Sequence, residues 1–346
     1  MDMNEYERFC SENINGSFTQ SSSWTRVKDN WSSEYIIVRG KNGSIIGTML
    51  ILVKKIPFLK TSMLYAPRGP VCDFHDRNAL KLIFEQVKLI AKKHKAYTLK
   101  IDPLIDENDF EAIENLKSHG FIYHGEKVGY DNIQCRENYR IELNGRTAEE
   151  VFQSFKPKWR YNIRLAERKG VQCKFCGKEG LDDFDRLMKQ TSSRDGFDMR
   201  TKEYFAKILD AFGDSAGLCM CFYDEVPLSG AMYIDYADTV SYVYGCSSDN
   251  LRNLMPNYLM QWNMIRYAAD RGRRVYDFCG VPYWYDETHR NYGVYRFKQG
   301  FNGEVKTWAG EFDYTFKSAT NFCADLMMKA RKFLLCLSAP YPNDFA

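Results

Sequence analysis

The sequence predicts a two-domain α/β protein in which each domain is a copy of one unit with a mixed, mainly antiparallel sheet. Three observations lead there. The chain has 346 residues, room for two domains at about 150 residues each. Runs of apolar residues joined by short turns mark hairpins, and each hairpin is followed by one long helical pattern and a further strand. That order, hairpin, long helix, strand and Gly-Phe, occurs twice about 180 residues apart with little identity between the copies, a repeat of pattern rather than of letters.

In the first copy, Glu34–Arg39 and Ser44–Lys54 read as paired strands with Lys41-Asn42-Gly43 as their turn. Arg77–His94 puts Leu80, Ile83, Phe84, Val87, Ile90 and Ala91 largely on one face, as an amphipathic helix does. Ala96–Ile101 is a strand closed by Asp102-Pro103, and a second helix is expected over Asp106–Ser118, before Gly120-Phe121. In the second copy, Cys219–Tyr223 and Leu228–Tyr236 form a hairpin around Asp224–Pro227. Thr239–Tyr244 adds a strand, Asn257–Arg271 the long helix and Arg274–Phe278 the strand after it. Between the copies lies Ala148–Gly170, and Ser318–Leu337 predicts a last amphipathic helix carrying Lys329, Arg331 and Lys332. Domains are expected at 1–140, completed by 309–346, and at 141–308.

Composition narrows the function. With 45% hydrophobic and 27% charged residues the chain reads as soluble and globular, and a net charge of +3 creates no overall basic field. A polyanionic partner therefore needs a local patch. Residues 155–169 supply one: Lys156, Lys158, Arg160, Arg164, Arg168 and Lys169 stand against the single acid Glu167, interleaved with Phe155, Trp159 and Tyr161. Such a segment suits phosphates and unpaired bases, and a solvated helix face has the same composition. Arg160, Arg164 and Arg168, four apart, form one stripe on a helix.

The N-terminal MDMNEYERFCSENING has no basic stretch followed by an apolar one, so no secretory signal is expected. No apolar run reaches the ~20 residues of a membrane span, and Lys54 and Lys55 break the best candidate, Ile45–Leu59. The eleven cysteines are odd in number and scattered, as reduced cytosolic thiols are. Cys173-x-x-Cys176 is a lone CxxC with no second pair or nearby histidines to complete a zinc site. None of the five histidines belongs to a nucleophile elbow or an H-E-x-x-H, and no P-loop or G-x-G-x-x-G is present. These absences argue against triad hydrolysis, zincin chemistry and nucleotide-cradle folds.

One stretch stands out. Downstream of Tyr276-Asp277-Phe278-Cys279-Gly280-Val281, which reads as a buried strand and turn, comes Arg296-Phe297-Lys298-Gln299-Gly300-Phe301-Asn302-Gly303-Glu304. Lys298, between aromatics and glycines, is suited to meet an anionic group at a pocket wall. The plainer reading is a strand-edge lysine.

These segments also carry a resemblance. Gln20-Ser21-x-x-Trp24-x-x-Val27-Lys28-x-x-Trp31, Lys158-Trp159-Arg160-Tyr161-Asn162-Ile163-Arg164-Leu165-Ala166 and the Phe297–Glu304 stretch resemble the Fem aminoacyltransferases, which add amino acids to the stem peptide of peptidoglycan precursors. Further ordered matches at Tyr97–Pro103, Met199–Phe205, Gly230–Asn250 and Tyr276–Val281 extend it over nearly the whole chain. The doubled unit resembles the GNAT fold, so two GNAT-like domains in tandem are implied. Many Fem enzymes insert a long antiparallel coiled coil in the second domain. This chain has no such heptad run and is similar to the shorter FemX-like branch. Asp249–Pro256, where a GNAT enzyme has its glycine-rich turn, contains no glycine, and Cys72–Arg77 is acidic, which argues against acetyl-CoA as donor.

The resemblance implies a cytoplasmic, monomeric aminoacyltransferase, taking an amino acid from aminoacyl-tRNA to UDP-MurNAc-pentapeptide or lipid II without cofactor or metal. The basic tail Lys329, Arg331 and Lys332 would make peripheral membrane contact. The alternatives are an acyl-CoA-dependent N-acyltransferase and a catalytically idle module that binds precursor or tRNA. Carried over, the acceptor site comprises Lys28, Tyr97, Arg200, Tyr204 and Tyr244, with Lys28 and Arg200 charge-matched to a diphosphate. Asp102 either binds the acceptor amine, as a candidate general base, or caps the following turn. Phe297 and Lys298 fall at the terminal adenosine of the donor, where Lys298 would neutralise charge on the tetrahedral intermediate. Lys158, Arg160, Arg164 and Arg168 would hold the tRNA. The aromatic Tyr283–His289 segment is suited to line or gate the aminoacyl pocket.

Overall fold

A computed structural model describes residues 2–57, 59–125 and 133–317. In chain order its elements are α1 (Met3–Glu12), α2 (Ser22–Val27), β1 (Ser32–Arg39), β2 (Ile45–Lys55), β3 (Ser62–Ala66), β4 (Val71–Cys72), α3 (Arg77–Lys93) and β5 (Ala96–Ile101). Then come α4 (Phe110–Ser118), β6 (Ile122–Tyr123), β7 (Glu137–Glu142), α5 (Ala148–Ser154), α6 (Pro157–Arg168), β8 (Gln172–Cys176), α7 (Leu181–Asp195) and α8 (Lys202–Phe212). The rest are β9 (Ala216–Tyr223), β10 (Val226–Tyr236), β11 (Thr239–Ser247), α9 (Pro256–Asp270), β12 (Val275–Gly280), α10 (Tyr292–Gln299), β13 (Glu304–Thr307) and β14 (Phe312–Thr315). The expected helix Ser318–Leu337, with Lys329, Arg331 and Lys332, lies outside the described residues.

The chain divides into two units. One runs to Arg136 and takes up the chain again at Thr307; the other is Glu137–Lys306. The first unit's sheet has the order β1-β2-β3-β5-β14-β6, with β4 also on β2. Its β1–β2, β2–β3, β5–β14 and β14–β6 pairs are antiparallel, and β3–β5, joined through α3, is parallel. The second unit's order is β13-β7-β12-β11-β10-β9-β8. There β8–β9, β9–β10, β10–β11 and β12–β7 are antiparallel, and β11–β12, joined through α9, is parallel. Each unit thus holds an antiparallel hairpin leading into one long-helix crossover between parallel strands, the shared pattern that the sequence repeats.

The long helices differ in what they cover. Asp76 caps α3 by accepting from Asn78 and Ala79 N–H, and Leu80, Ile83, Phe84, Val87 and Ala91 are buried against the first sheet. Each of the four larger side chains among these contributes about 1.5–3 kcal/mol of burial. α9 begins with Pro256 and buries Leu259, Met260, Trp262, Met264, Ile265 and Ala268. It packs against β9 and β10 and also against α5 and α6, so apolar residues surround it rather than forming one stripe.

Two local expectations are corrected. The helix expected from Asp106 starts at Phe110, because Asp109 is the residue that caps it, accepting from Ala112 N–H at 3.1 Å. Asp106 instead closes the preceding turn through Asn108 N–H at 2.8 Å. Lys298 is not at a strand edge; it lies in the last turn of α10. The longest helix among the described residues is α3, at 17 residues, so no long coiled coil interrupts them. No helix among them is long and apolar enough to cross a membrane.

Candidate active site

In the first unit Asp102 stands at the end of β5 and Tyr97 near the start of the same strand. Asp102 follows that strand and is 1% exposed. Its carboxylate accepts from Tyr65 Oη at 2.7 Å and from the Arg68 backbone N–H at 2.6 Å. Its contacts thus come from β3 and the loop after it, not from the turn that Pro103 begins. Arg68 adopts a left-handed φ of 55° to turn its amide onto the carboxylate, and its Nη2 reaches Cys135 O at 2.8 Å. Burial pushes the Asp102 carboxyl up to about 6, against the opposing pull of the Arg68 charge and amide and of the Tyr65 hydroxyl.

Lys28 ends α2, buried rather than exposed, with its ammonium 5.2 Å from the centre of the Trp24 ring. Gln20, which opens the same sequence motif, is a buried amide. Its Nε2 donates to Pro67 O at 2.8 Å and Leu50 O at 3.2 Å, and its Oε1 accepts from Leu50 N–H at 2.8 Å. That amide ties the segment bearing Lys28 to β2 and to the loop of Arg68. Tyr97 is fully buried in β5.

In the second unit, β12 ends in a turn made by Cys279 at φ 57° and fastened by Asp277, which accepts from Cys279 N–H at 2.7 Å and from Asn138 Nδ2 at 3.1 Å. Lys298 caps this turn. Its Nζ donates to Phe278 O at 2.7 Å and Gly280 O at 2.8 Å and is 3.5 Å from Cys279 O, with the side chain 5% exposed. The lysine expected to meet an anion directly is therefore held by backbone carbonyls, a fixed buried cation. Phe297 is half-buried, its ring edge-on to Tyr258 at 5.1 Å and to Phe301 at 5.5 Å. Upstream, Tyr283 stacks on His289 at 3.9 Å.

The basic segment and the Lys298 segment interlock. Trp159 on α6 donates from Nε1 to Phe297 O at 2.9 Å. Lys156 donates its backbone N–H to Gly300 O at 2.9 Å and its Nζ to Gln299 Oε1 at 2.8 Å. The indole lies so close over Gly300 that a Cβ there would sit 1.9 Å from Trp159 Cε2. Glycine is required at 300 for that approach. On the other side of α6, Lys158, Arg164 and Arg168 are exposed, while Arg160 is half-buried and donates from Nη1 to Gln153 O and Phe155 O, at 2.5 and 2.8 Å. The stripe of three arginines is thus two solvent-facing arginines and one that closes the end of α5.

A third group forms around β11. Arg200 precedes Thr201, the cap of α8, and its guanidinium lies 5.2 Å over the Tyr204 ring from the loop. Tyr204 faces Tyr244 edge-on at 6.5 Å. Burial pushes both phenols up while the Arg200 charge opposes it. Tyr65, Arg68, Gln20, Trp159 and Gly300 were not assigned from sequence. The motif spellings Gln-Ser-x-x-Trp, Lys-Trp-Arg and Lys-Gln-Gly contained three of them.

Comparison with known proteins places the fold and the family. A lipid II:glycine glycyltransferase of Staphylococcus haemolyticus is 29% identical over 381 aligned positions, covering 90% of each chain. That alignment is longer than this 346-residue chain, so the relative carries residues that this chain lacks. The crystal structure of FemX superposes with a TM-score of 0.87 at 28% identity, covering 92% of this chain and 97% of that one. A tandem GNAT protein from the clavulanic acid biosynthesis pathway superposes at 0.53 with 9% identity, covering 90% and 94%, a likeness of fold. The fold is accordingly two GNAT-like units in tandem. The model of the FemAB family matches residues 1–224 and 221–326, and the chain is a member of that family.

Proposed function

We propose that the chain transfers an amino acid from aminoacyl-tRNA to an amine of the stem peptide of a peptidoglycan precursor, with lipid II as the first acceptor to try and UDP-MurNAc-pentapeptide as the second. Relatives named lipid II:glycine glycyltransferases support the reaction class and the lipid-linked acceptor. The observation that carries the donor is the interlock of α6 with α10. An exposed basic helix is bonded, through Trp159, to the backbone of Phe297, and the next residue is the buried cation Lys298. A polyanionic donor lying along Lys158, Arg164 and Arg168 would be held by the same body that carries the charge suited to its reacting end.

The chemistry needs no covalent enzyme intermediate, because the donor is already an activated ester. The acceptor amine attacks the ester carbonyl, forming the C–N bond and a tetrahedral oxyanion. The C–O bond to the tRNA ribose then breaks, and the proton lost by the amine is finally returned to the departing ribose oxygen, which leaves as a hydroxyl. Lys298, with its Nζ fixed by carbonyls, acts through its field; a unit charge about 4–5 Å from the oxyanion is worth on the order of 3–4 kcal/mol at an effective dielectric near 20. Asp102 takes the role of proton acceptor. With its carboxyl near 6 it is ionised at pH 7 and yet basic enough to accept a proton. In this reading Arg200, Tyr204 and Tyr244 hold the acceptor and Lys28 is a further cation for its diphosphate, whereas Tyr97, fully buried in β5, has no surface to offer it. Positioning supplies much of the remaining barrier reduction.

The test offers purified protein a pool of charged bacterial tRNA with lipid II or with lysine-containing UDP-MurNAc-pentapeptide, and reads the acceptor by mass spectrometry. A gain of one amino-acid residue supports the reading and identifies the amino acid. Two unchanged acceptors, with acyl-CoA consumed on an amine, would replace it by N-acyl transfer.

A further inference from the structure

The spacing Cys173-x-x-Cys176 suggests one pair of thiols, and the fold makes another. β8 runs antiparallel to β9 with Cys173 opposite Cys221 and Phe175 opposite Cys219. Cys219 and Cys221, two apart on a strand, point to the same face. Cys173 joins them there: its Sγ is 3.3 Å from Cys219 Sγ, and Cys221 stands directly opposite it in the strand register. Cys219 and Cys221 are fully buried, whereas Cys173 is half-buried on β8, the edge strand of its sheet. The cluster is asymmetric, with one half-buried residue on the edge strand and two fully buried residues on the strand behind it.

The electrostatics follow the same asymmetry. The neighbouring Cys219 thiol, then that of Cys221, with a smaller contribution from the charge of Arg266, draw the Cys173 thiol down against its burial. Burial pushes Cys219 and Cys221 up. A thiolate is the reactive form, and oxidisable cysteines combine thiolate character, access and a neighbouring thiol. Cys176 is a poor partner by comparison: burial and the charge of Glu179 push it up to about 11.

We propose that Cys173 is an oxidation site for peroxides, with Cys219 as its resolving thiol, so that oxidation joins β8 to β9 by a disulfide. The Cys173 thiolate attacks the peroxide O–O bond; an S–O bond forms, the O–O bond breaks and hydroxide, or an alkoxide, leaves. Cys219 sulfur then attacks the sulfenic acid; the S–S bond forms, the S–O bond breaks and the oxygen departs as water with the Cys219 proton. Two thiols lose two electrons and the peroxide gains two. The sulfurs must close from 3.3 Å to about 2.05 Å, across a diagonal of the β8–β9 pair. No part of this rests on the transfer reading.

The test exposes the folded, full-length protein to hydrogen peroxide, alkylates the remaining thiols under denaturing conditions and maps the peptides. The expected product is a cross-linked pair carrying Cys173 and Cys219, two hydrogens lighter than its components and reversed by dithiothreitol. Cys10, Cys72 and Cys246, buried with their thiols pushed up, stay alkylated. Cys173→Ser is expected to lose the cross-link, and Cys219→Ala to leave a sulfenic acid at Cys173 that dimedone traps. The wild-type map decides alone where a variant fails to fold. A Cys173 left unmodified, driven to sulfinic acid without a cross-link, or linked to Cys176 or Cys221 instead would overturn the assignment.

Discussion

Replacing Lys298 by Met separates the two roles that its position gives it. Methionine fills nearly the same volume, so packing changes little, but the donors to Phe278 O at 2.7 Å and Gly280 O at 2.8 Å vanish. Leaving a buried carbonyl unpaired costs about 1–3 kcal/mol, and removing the buried charge returns part of its desolvation penalty. The net expectation is a loss of ~2–4 kcal/mol, which for a domain of this size lowers the melting temperature by roughly 5–15 °C. Catalysis should fall further than folding. Losing one preorganised charge at a developing oxyanion costs about 100- to 1,000-fold in turnover. The assay measures melting first, then single-turnover transfer at a temperature where the variant is folded, then acceptor affinity, which should stay near wild type. Lys298→Arg is expected not to rescue, because a broad planar guanidinium does not fit a cage built around one ammonium. Folded Lys298→Met with wild-type turnover would refute the reasoning and leave Lys298 a purely structural cap.

Three further outcomes follow from particular contacts. Gly300→Ala puts a Cβ 1.9 Å from Trp159 Cε2, so the indole must move; a stability loss of ~1–3 kcal/mol by denaturant titration and reduced turnover are expected, and an unchanged midpoint would contradict the interlock. Asp102 is raised from 3.8 to about 6, so the folded state holds its proton more tightly than the unfolded chain. The stability it contributes is complete below about pH 4 and is lost as pH rises through about 6, roughly 2–3 kcal/mol in all; Asp102→Asn should flatten that component of a melting-temperature series, and parallel series would refute it. Arg200→Ala removes the cation over Tyr204 and is expected to weaken acceptor binding about 10- to 100-fold by calorimetry, whereas unaltered affinity would remove Arg200 from the acceptor site.

What sequence reveals here depends on range. Ala96–Ile101 is a strand and Arg77–Lys93 a helix almost to the residue, because a strong period and a capping aspartate are local signals. The doubled pattern likewise exposes the two crossovers. α10 was not legible: it is an eight-residue helix whose N-terminus lacks a side-chain cap, so nothing local marks its start before Gly300. The strands that flank β5 and β12, β14 and β7, are distant in sequence from them, and no periodicity encodes that pairing. The same limit applies at the site. Asp102 was visible as a strand-end acid, but Tyr65 and Arg68, which fix both carboxylate oxygens, reach it from another strand and loop. Arg160 counted as one of a basic stripe because spacing cannot tell a solvent-facing guanidinium from one spent on carbonyls. Lys298 was recognised by its setting among aromatics and glycines, and its burial by carbonyl oxygens needed the fold.

Transfer from aminoacyl-tRNA is what separates the proposed reaction from N-acyl transfer. The measurement that tests it most directly charges tRNA with an isotopically labelled amino acid, adds the protein and lipid II, and follows the label in the lipid-linked product, with a parallel sample in which the tRNA is digested first. Label is expected in the precursor only while the charged tRNA is intact. Label transferred equally well after digestion, or a product formed from the free amino acid, would contradict it.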